Sequence, residues 1–464
     1  MKSVLFEKAL LINGFTNING LVKYLGLFVV ITALTSCDDF VDIELPKDQL
    51  IKEAVFDDLG TATAAVRDLY LRATRSGIPA VDMGLYADEL NQFSSEQSFF
   101  HDHSIIASNL IVNSLWGGYY NTVFATNAVI EGVESSSGLS PEDKTQLKGE
   151  ALFIRAYAHN TLVQLFGAIP YIRTTDHIAN NRVSRMSVDI VYDHIIEDLK
   201  EALVLLGEDV STLGEKRIRV YDATVQAFLA RVYLYTDQWE DAKNMASKVI
   251  DQFVLEPDVS KVFLKNASGT IWQFKPSEVG GNNGQASAFI FKDFPGFKPY
   301  LSTSVVNAFE SIDDLRYINW VKRTTLGFHY AYKYKEPIAT PPESVEYLIA
   351  FRLAEQYLIR AEARAKLGEI PEAQADLNVI RNRAGLGNTG ASTTDALVDA
   401  ILKERFVELF TEWGHRWVDL KRREKATEVL APIKPGWRDT DILFPIPESQ
   451  ILLNPNLLPQ NDGY

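Results

Sequence analysis

Apolar residues recur at helical spacing along much of the chain, and in one stretch two such helices follow each other closely. The first helix has small and apolar residues at i, i+4, i+7 and i+11, and a polar turn separates it from a second apolar stripe. The residues are Ala223, Ala227, Ala230 and Leu234, followed by Ala242, Ala246 and Val249. This spacing puts each set on one face of its helix. It predicts two antiparallel helices that approach closely through alanine.

The same design returns near the C-terminal end of the chain. One stripe ends at Gly368, Pro371 opens the next helix, and a second stripe follows. The two stripes are Ala354, Leu358, Ala361 and Ala365, then Ala373, Leu377, Ile380 and Ala384. In both pairs the first alanines of the two helices are 19 positions apart. Close alanine packing between paired helices is typical of tetratricopeptide repeats, although these two pairs are not in tandem.

The remaining pattern divides into further helices and a long irregular region. Residues 148–166 are apolar on nearly every helical face and predict a buried helix, and residues 402–413 carry one apolar stripe. Residues 253–344 mix glycine, proline and aromatic residues without a period, which predicts long loops with short strands. Because long connections in compact domains are usually functional, we expect binding there and in a second loop at 88–109. The predicted fold class is mostly α.

Composition and charge narrow the functional classes. The chain has 464 residues, of which 46% are hydrophobic and 11% aromatic, and its formal net charge at pH 7 is −15. This hydrophobic fraction is enough for a sizeable core, and we find no low-complexity block. The excess of acid argues against nucleic acid as a partner, because phosphate binding needs clustered lysine and arginine.

The only cysteine in the chain marks an export and anchoring signal. An apolar run over residues 25–34 is too short to span a bilayer. It ends in four residues that resemble a bacterial lipobox: Leu34, Thr35, Ser36 and Cys37. We therefore predict that residues 1–36 are removed and that Cys37 carries the acyl chains that anchor the protein. Residues 37–50, which include the acidic residues Asp38, Asp39, Asp42 and Glu44, are predicted to form a solvated tether. The alternative is an ordinary buried thiol.

Five stretches, in the same order, resemble the SusD/RagB family of nutrient-binding outer-membrane lipoproteins. They are Cys37-Asp38-Asp39-Phe40 with Leu45-Pro46, Gly149 to Ala156 with Phe166-Gly167 and Pro170, Arg352 to Glu355 with Ala361-Glu362-Ala363, Glu404-Arg405 to Glu408 with His415 to Leu420, and Phe444 to Pro447 with Asn454-Pro455-Asn456 and Gln460 to Tyr464. The resemblance covers essentially the whole mature chain. Asp462 departs from the family, which usually has proline there, but the ending around it is intact.

The resemblance implies both a fold and a function. It implies tetratricopeptide-like helix pairs that form a right-handed superhelical scaffold, in a single domain over residues 51–464 with an irregular insertion at 253–344. It also implies a lipoprotein at the surface of the outer membrane that binds an oligosaccharide or polysaccharide and delivers it to a SusC-like TonB-dependent transporter. Neither a cofactor nor catalysis is expected. The alternatives are a peptide ligand, a surface carbohydrate-active enzyme, and a structural partner of the transporter that binds no ligand.

Acidic and basic residues inside these motifs resemble catalytic groups at first sight. Examples are Glu150 with Arg155, Glu355 with Glu362, and Glu404 with Arg405 and Asp419. They lie on strongly apolar helices, where charged residues persist by pairing, so we interpret them as structural. Nor do the histidines form a zinc pattern, because His101 and His103 are two residues apart without a third ligand in view.

Sugar binding requires flat apolar faces for the pyranose ring, together with amides or carboxylates for its hydroxyl groups. Two stretches supply both kinds of side chain. The candidate ligand-binding residues are Asn91, Phe93, Phe99, Phe100 and His101 in the early loop, and Phe291, Phe294, Tyr300 and Trp320 in the irregular region. The resemblance also implies a ligand face drawn from these two regions. The alternative is a local core beneath long loops. Trp116 and Trp272 lie in helix-like or strand-like settings and are predicted to be core.

Overall fold

The computed structural model describes residues 55–75, 80–93, 98–207 and 217–464. The predicted signal, Cys37 and the tether lie outside these residues. The described helices are α1 Leu59–Arg75, α2 Ala80–Tyr86, α3 Ser98–His101, α4 Leu110–Ser135, α5 Pro141–Phe166, α6 His177–Asn180, α7 Val188–Leu206, α8 Asp222–Tyr235, α9 Trp239–Gln252, α10 Gln285–Phe289, α11 Thr303–Ala308, α12 Leu315–Trp320, α13 Leu353–Lys366, α14 Ile370–Arg383, α15 Thr394–Leu409, α16 His415–Arg422, α17 Ala426–Leu430 and α18 Glu448–Leu453. The strands are β1 Leu90–Asn91, β2 Thr270–Phe274, β3 Tyr300–Leu301, β4 Val321–Arg323, β5 His329–Ala331 and β6 Leu348–Arg352.

The long helices pack one after another in a continuous stack. Helix α4 packs on α1 and α5, α5 packs on α7, α7 on α8, and α8 on α9. The stack continues from α9 to α13, which contacts both α14 and α15. Most of these contacts join helices that follow each other in sequence, as in helical repeats, whereas the contact of α9 with α13 spans the irregular region. The predicted mostly helical fold with tetratricopeptide-like pairs is confirmed.

Both predicted helix pairs are present, as α8 with α9 and α13 with α14. Their alanine stripes face the partner helices and are almost fully buried: Ala223, Ala227, Ala230, Ala242, Ala246, Ala354, Ala361, Ala365 and Ala373 are each at most 1% exposed. Because alanine carries only a methyl group, two helix backbones can approach closely along such a stripe. Gly368 has φ +81° and follows the C-terminal end of α13, which explains why the stripe stops there.

Two predicted helices have different ends in the structure. Helix α5 begins before 148, because Ser140 accepts a hydrogen bond from the Asp143 amide and Pro141 occupies the first turn. Helix α15 ends at Leu409 and does not continue to 413. The chain turns there through Thr411 and Trp413, which have φ values of 55° and 48°. Capping side chains and residues in the left-handed backbone conformation thus set the helix ends, which apolar spacing alone could not locate.

The irregular region contains short strands, as predicted, and also three short helices, α10 to α12. Strand β2 pairs antiparallel with β6, and β4 pairs antiparallel with β5 as a hairpin. Strand β3 pairs antiparallel with β1 of the early loop, with Asn91 opposite Tyr300. The two stretches that were predicted to bind ligand are therefore joined by a backbone ladder.

The charged residues of the motifs are paired inside the scaffold, as expected of structural charges. The pairs are Glu150 with Arg219, Arg155 with Asp198, Glu355 with Arg231, Glu362 with Arg422, Glu404 with Arg316, and Arg405 with Asp419. Most partners lie outside the motifs, so each pair ties one part of the chain to another. Arg231 of α8, for example, donates to both oxygens of Glu355 of α13, at 2.6 and 2.7 Å.

A balanced group of four cations and four anions lies buried around the C-terminal half of α15, and we name it the ion cluster. It consists of Arg316, Lys333, Arg352 and Arg383 with Asp314, Glu404, Glu408 and Glu412. Each of these side chains is at most 8% exposed. Burying eight charges is costly unless every one is compensated, so the geometry of the cluster is tightly constrained.

Glu408 is the shared acceptor of the ion cluster. It accepts hydrogen bonds from Arg316 of α12, Arg352 at the end of β6, and Arg383 at the end of α14. Burial alone would raise the pKa of the Glu408 carboxyl, but the guanidinium groups of Arg383, Arg352 and Arg316 outweigh burial and hold that pKa well below its ordinary value. One carboxylate of α15 therefore joins the irregular region to the helical scaffold.

We expect Glu408→Gln to destabilise the protein by about 3 kcal/mol, because it leaves three buried guanidinium groups without their common anion. The midpoint of urea unfolding at pH 7 measures this change. The matched control is Glu428→Gln, whose exposed carboxylate pairs with Lys425 at the surface. The control should change the free energy of unfolding by less than about 0.5 kcal/mol, and an equal effect of both variants would contradict the account.

The pH dependence of stability checks the same carboxylate. Because the folded pKa of Glu408 lies below the ordinary glutamate value of about 4.5, its stabilising contribution is present above pH 4.5 and is lost as the pH falls through the folded pKa. The difference in unfolding free energy between wild type and Glu408→Gln should therefore be constant near neutral pH and shrink in acid. A difference that grows in acid would contradict the assignment.

Candidate functional site

Four aromatic side chains form an exposed cluster, and we name it the aromatic surface. Its members are Phe93, Phe294, Tyr300 and Phe328. The ring of Phe93 lies 5.1 Å from Phe294 and 5.2 Å from Tyr300, and it stacks on Tyr300 with an interplanar angle of 27°. Phe328 contacts all three edge-on at 5.3 to 5.9 Å. Phe93 is 47% exposed and Phe294 is 56% exposed, so the cluster presents apolar faces to solvent.

The β1–β3 ladder brings the two predicted stretches together at this surface. Tyr300 is the first residue of β3, opposite Asn91, and Phe93 follows β1 two residues later. The side chain of Gln92 donates to the Phe297 carbonyl, which ties the early loop to the segment that carries Phe294. Strand pairing between residues that are about 200 positions apart therefore creates the cluster.

Phe328 was not among the predicted site residues. It lies at the end of the turn between β4 and β5, where the Thr324 amide donates to its carbonyl at 2.8 Å. Gly327 in the same turn has φ +91°. A glycine between two short segments that each contain a β-prone residue, Val321 and Tyr330, is a weak hairpin signal that could have identified the residue.

The segment that carries Phe294 is held from two sides. Lys298 donates to the carbonyls of Ser287 and Ile290, at 2.6 and 2.8 Å. Thr325 of the hairpin turn donates to Asp293 at 2.7 Å. These hydrogen bonds fix the irregular segment around Phe294, so the exposed position of this ring is set by the fold.

Three polar side chains flank the aromatic surface: Asn91 of β1, His101 and Asp102. The ring of His101 lies within hydrogen-bond distance of Asn91 through Nε2, at 3.2 Å, and of Asp102 through Nδ1, at 2.8 Å. The side chain of Asn91 is half-buried. Amide, imidazole and carboxylate groups next to exposed rings are the partners that sugar hydroxyls need.

For Phe100 and Trp320 the structure favours the alternative, a local core. Phe100 is 0% exposed and packs on Tyr86 and Phe444. Trp320 is 1% exposed, and its indole donates to the Val259 carbonyl at 2.9 Å. Apolar helical positions on α3 and α12 turn these rings inward, so neither offers a face to a ligand.

Phe99 and Phe291 are intermediate cases. Phe99 is half-buried and packs on Phe100 at 4.9 Å. Phe291 is 8% exposed and contacts Tyr330 of β5 at 5.0 Å. Both are more buried than Phe93 and Phe294, so neither presents an open ring face. Trp116 and Trp272 are 3% and 0% exposed, which confirms that they are core.

The C-terminal end of α15 anchors the strands that carry the aromatic surface. Lys333, two residues after β5, donates to the carbonyls of Glu408 and Phe410, each at 2.8 Å, and to the Glu412 carboxylate. These carbonyls are among those that a helix end leaves without partners. Burial lowers the pKa of Lys333 to about 8, although Glu412 opposes this fall.

Strand β1 is attached to the same helix end. Glu89, which precedes β1, accepts a hydrogen bond from the Thr411 amide at 3.1 Å. Burial raises the pKa of Glu89 to about 8, against the lowering effect of that amide. The neighbouring Asp88 pairs with Arg416 at 2.7 and 2.8 Å. Glu89 before β1 and Lys333 after β5 are thus both attached to the C-terminal end of α15.

This arrangement is suited to stacking and hydrogen bonding. Within the described segments, no group of three or more His, Cys, Asp or Glu side chains is placed to hold a metal ion. None of the helices in this part of the chain has the length and apolar character that a membrane crossing needs. An exposed set of rings beside amide and imidazole groups can hold a ring-shaped polar ligand by its apolar faces.

The fold is a helical-repeat scaffold that carries an exposed aromatic cluster. A family model described as starch-binding and associating with the outer membrane matches residues 42–234, and the model of the SusD family matches residues 339–464. SusD-like protein P2 of Formosa agariphila is 27% identical to this chain, over 95% of the chain and 100% of the relative. The chain belongs to the SusD family, which is associated with the outer membrane.

Solved structures share the fold. A SusD superfamily protein from Bacteroides vulgatus superposes with a TM-score of 0.78 at 20% identity, over 88% of this chain and 99% of that one. A laminarin-binding SusD-like protein superposes with a TM-score of 0.73 at 22% identity, over 87% and 99% of the two chains. The helical scaffold described above is therefore the scaffold of this family.

We expect Lys333→Met to loosen the aromatic surface, because it removes three hydrogen bonds between the β4–β5 hairpin and the end of α15. The loss should cost about 2 kcal/mol of stability. Compared with the wild-type protein, hydrogen exchange at the amides of 328–332 should become faster, and this increase should exceed any change in α8 and α13. The matched control, Lys322→Met, changes an exposed lysine of β4. Equal exchange in both variants would show that Lys333 does not hold the hairpin.

Proposed function

We propose that this protein is a cell-surface lipoprotein that binds an oligosaccharide or polysaccharide and delivers it to a SusC-like TonB-dependent transporter. The single observation that carries the binding part is the aromatic surface, four clustered rings that are partly open to solvent. Large exposed apolar clusters are uncommon on soluble proteins unless they bind something. The proposed role is binding without catalysis.

The chemistry of the surface favours a carbohydrate. The near-parallel rings of Phe93 and Tyr300 suit stacking against the carbon-bound hydrogens of a pyranose. Asn91 of β1 and the His101 ring within hydrogen-bond distance of it would be partners for hydroxyl groups. A relative with the same scaffold is described as laminarin-binding, which supports glucan as the first ligand class to test.

Delivery to a transporter and attachment to the membrane rest on family membership and on the sequence around Cys37. A lipid on Cys37 followed by an acidic tether would keep the binding domain at the membrane while it moves relative to a partner barrel. Protein and glycan would then meet at a fixed surface, which raises the local concentration of ligand at the transporter.

Replacing Phe93 or Tyr300 by alanine should weaken glycan binding about tenfold, because stacking on a ring contributes on the order of 1 kcal/mol or more. Isothermal titration with laminarin and starch oligosaccharides measures the loss. The control is Val204→Ala, whose side chain is 84% exposed on α7. Wild-type affinity in both aromatic variants would refute the site, and absence of binding by the wild-type protein to any glycan would refute the function.

Cys37→Ala should release the protein from the membrane while leaving glycan binding in solution unchanged. Removal of the acyl chains eliminates the apolar anchor, at about 0.8 kcal/mol for each buried methylene. Fractionation of cells into membrane and soluble parts measures attachment. Ser36→Ala, which keeps a small residue before the cysteine, should stay attached. Membrane attachment of Cys37→Ala at the wild-type level would contradict the lipoprotein proposal.

A further inference from the structure

A second candidate site lies away from the aromatic surface, in a cavity of about 470 Å³ between α4, the segment after α5, and α18. We name it the α4 groove. Its volume falls in the range of roughly 300–1,000 Å³ that is typical of small-molecule sites. Three of its lining residues are aromatic and follow one stripe of α4 at i, i+4 and i+8: Trp116, Tyr120 and Phe124.

The burial of these rings decreases along the helix. Trp116 is 3% exposed, Tyr120 is half-buried, and Phe124 is 52% exposed. The first two rings are 4.9 Å apart, and the Tyr120 hydroxyl donates to the Pro170 carbonyl at 2.8 Å, which fixes its orientation. A large phenylalanine that is half open to solvent at the end of a fixed aromatic row is a stacking surface without a partner in the described chain.

Amide side chains complete the groove. Asn121 and Asn181 are exposed at its edge, and Gln450 of α18 is half-buried in it. The opposite wall is held in place because Asn454 donates to the Val183 carbonyl and Ser449 donates to Asn113, each at 2.8 Å. Amides offer a donor and an acceptor to each hydroxyl group of a sugar.

The charge of the groove selects the ligand class. Its described lining residues include no Asp, Glu, Lys or Arg, and His177 is the one side chain among them that can become positively charged, although the chain as a whole carries a formal charge of −15. A phosphate, a carboxylate or a charged peptide would find no permanently charged counter-ion among these residues. A neutral ligand with an apolar face and many hydroxyl groups matches both the rings and the amides.

A larger cavity of about 600 Å³ provides a contrast. It lies beside the C-terminal segment, and none of its described lining residues is aromatic. Its arginine, Arg185, already donates to the Ala168 and Pro459 carbonyls and to Asn461. Cavity volume alone therefore does not indicate a sugar site, whereas the combination of aromatic rings and amide side chains in the α4 groove does.

We propose that the α4 groove is a second carbohydrate-binding site, which takes one or two neutral pyranose units. It is built from other elements than the aromatic surface and rests on the proposed function only in the choice of glycans to test. Two sites on one chain would engage a polysaccharide together, so that binding at one raises the effective concentration at the other.

The test separates the two sites by substitution. One variant removes the aromatic surface, Phe93→Ala with Tyr300→Ala, a second removes the groove, Phe124→Ala with Asn121→Ala, and a third combines all four changes. Each is titrated calorimetrically with six-unit laminarin and starch oligosaccharides, with Val204→Ala as the control and circular dichroism as the check of folding. Both groove positions are exposed, so we expect the groove variant to fold normally.

The surface variant should bind glycan more weakly than wild type but still measurably. The combined variant should bind at least tenfold more weakly than the surface variant. The proposal is overturned if the remaining binding is unchanged by the groove substitutions, or if the surface variant retains none. If the groove substitutions weaken binding and the surface substitutions do not, the groove stands and the assignment of the aromatic surface fails. The reverse result removes the groove and leaves the proposed function intact.

Discussion

The carboxyl end of α15 is the constraint on which the rest of the structure depends. Glu408 is the common acceptor for arginines of α12, β6 and α14, and its carbonyl also accepts from Lys333. Three residues further on, Thr411 holds Glu89 before β1. A buried charge that loses its partner costs several kcal/mol, so each of these segments has one favourable position. The irregular region keeps a defined shape because it is tied to a rigid helix at this point.

This support connects the scaffold to the aromatic surface. The rings lie on a two-residue ladder, a hairpin turn and an irregular segment, which have little stability of their own. Attachment of Glu89 and Lys333 to residues 408–412 fixes the positions of these pieces. For the proposed ligand binding, such pre-organisation would lower the entropy cost. The helical repeats and the ion cluster thus both hold the exposed rings in fixed positions.

Sequence patterns predicted the helix pairs well because alanine spacing is local, and every member of a stripe lies on one helix. They also brought Phe93, Phe294 and Tyr300 into consideration. They could not distinguish Trp320 and Phe100, which point inward, from exposed rings, because that choice depends on packing between distant segments. Phe328 was missed, and its place in the cluster follows from the β4–β5 hairpin and the pairing of β1 with β3. The ion pairs of the motifs were likewise set by partners far along the chain.

The central claim is that ligand contacts a surface supported by the end of α15. Hydrogen–deuterium exchange of the wild-type protein, with and without a saturating glycan, tests it most directly because exchange reports the amides that a ligand protects. The account predicts slower exchange in the segments that carry the surface, 291–301 and 324–332, when glycan is bound. Unchanged exchange in both segments at saturation would contradict it.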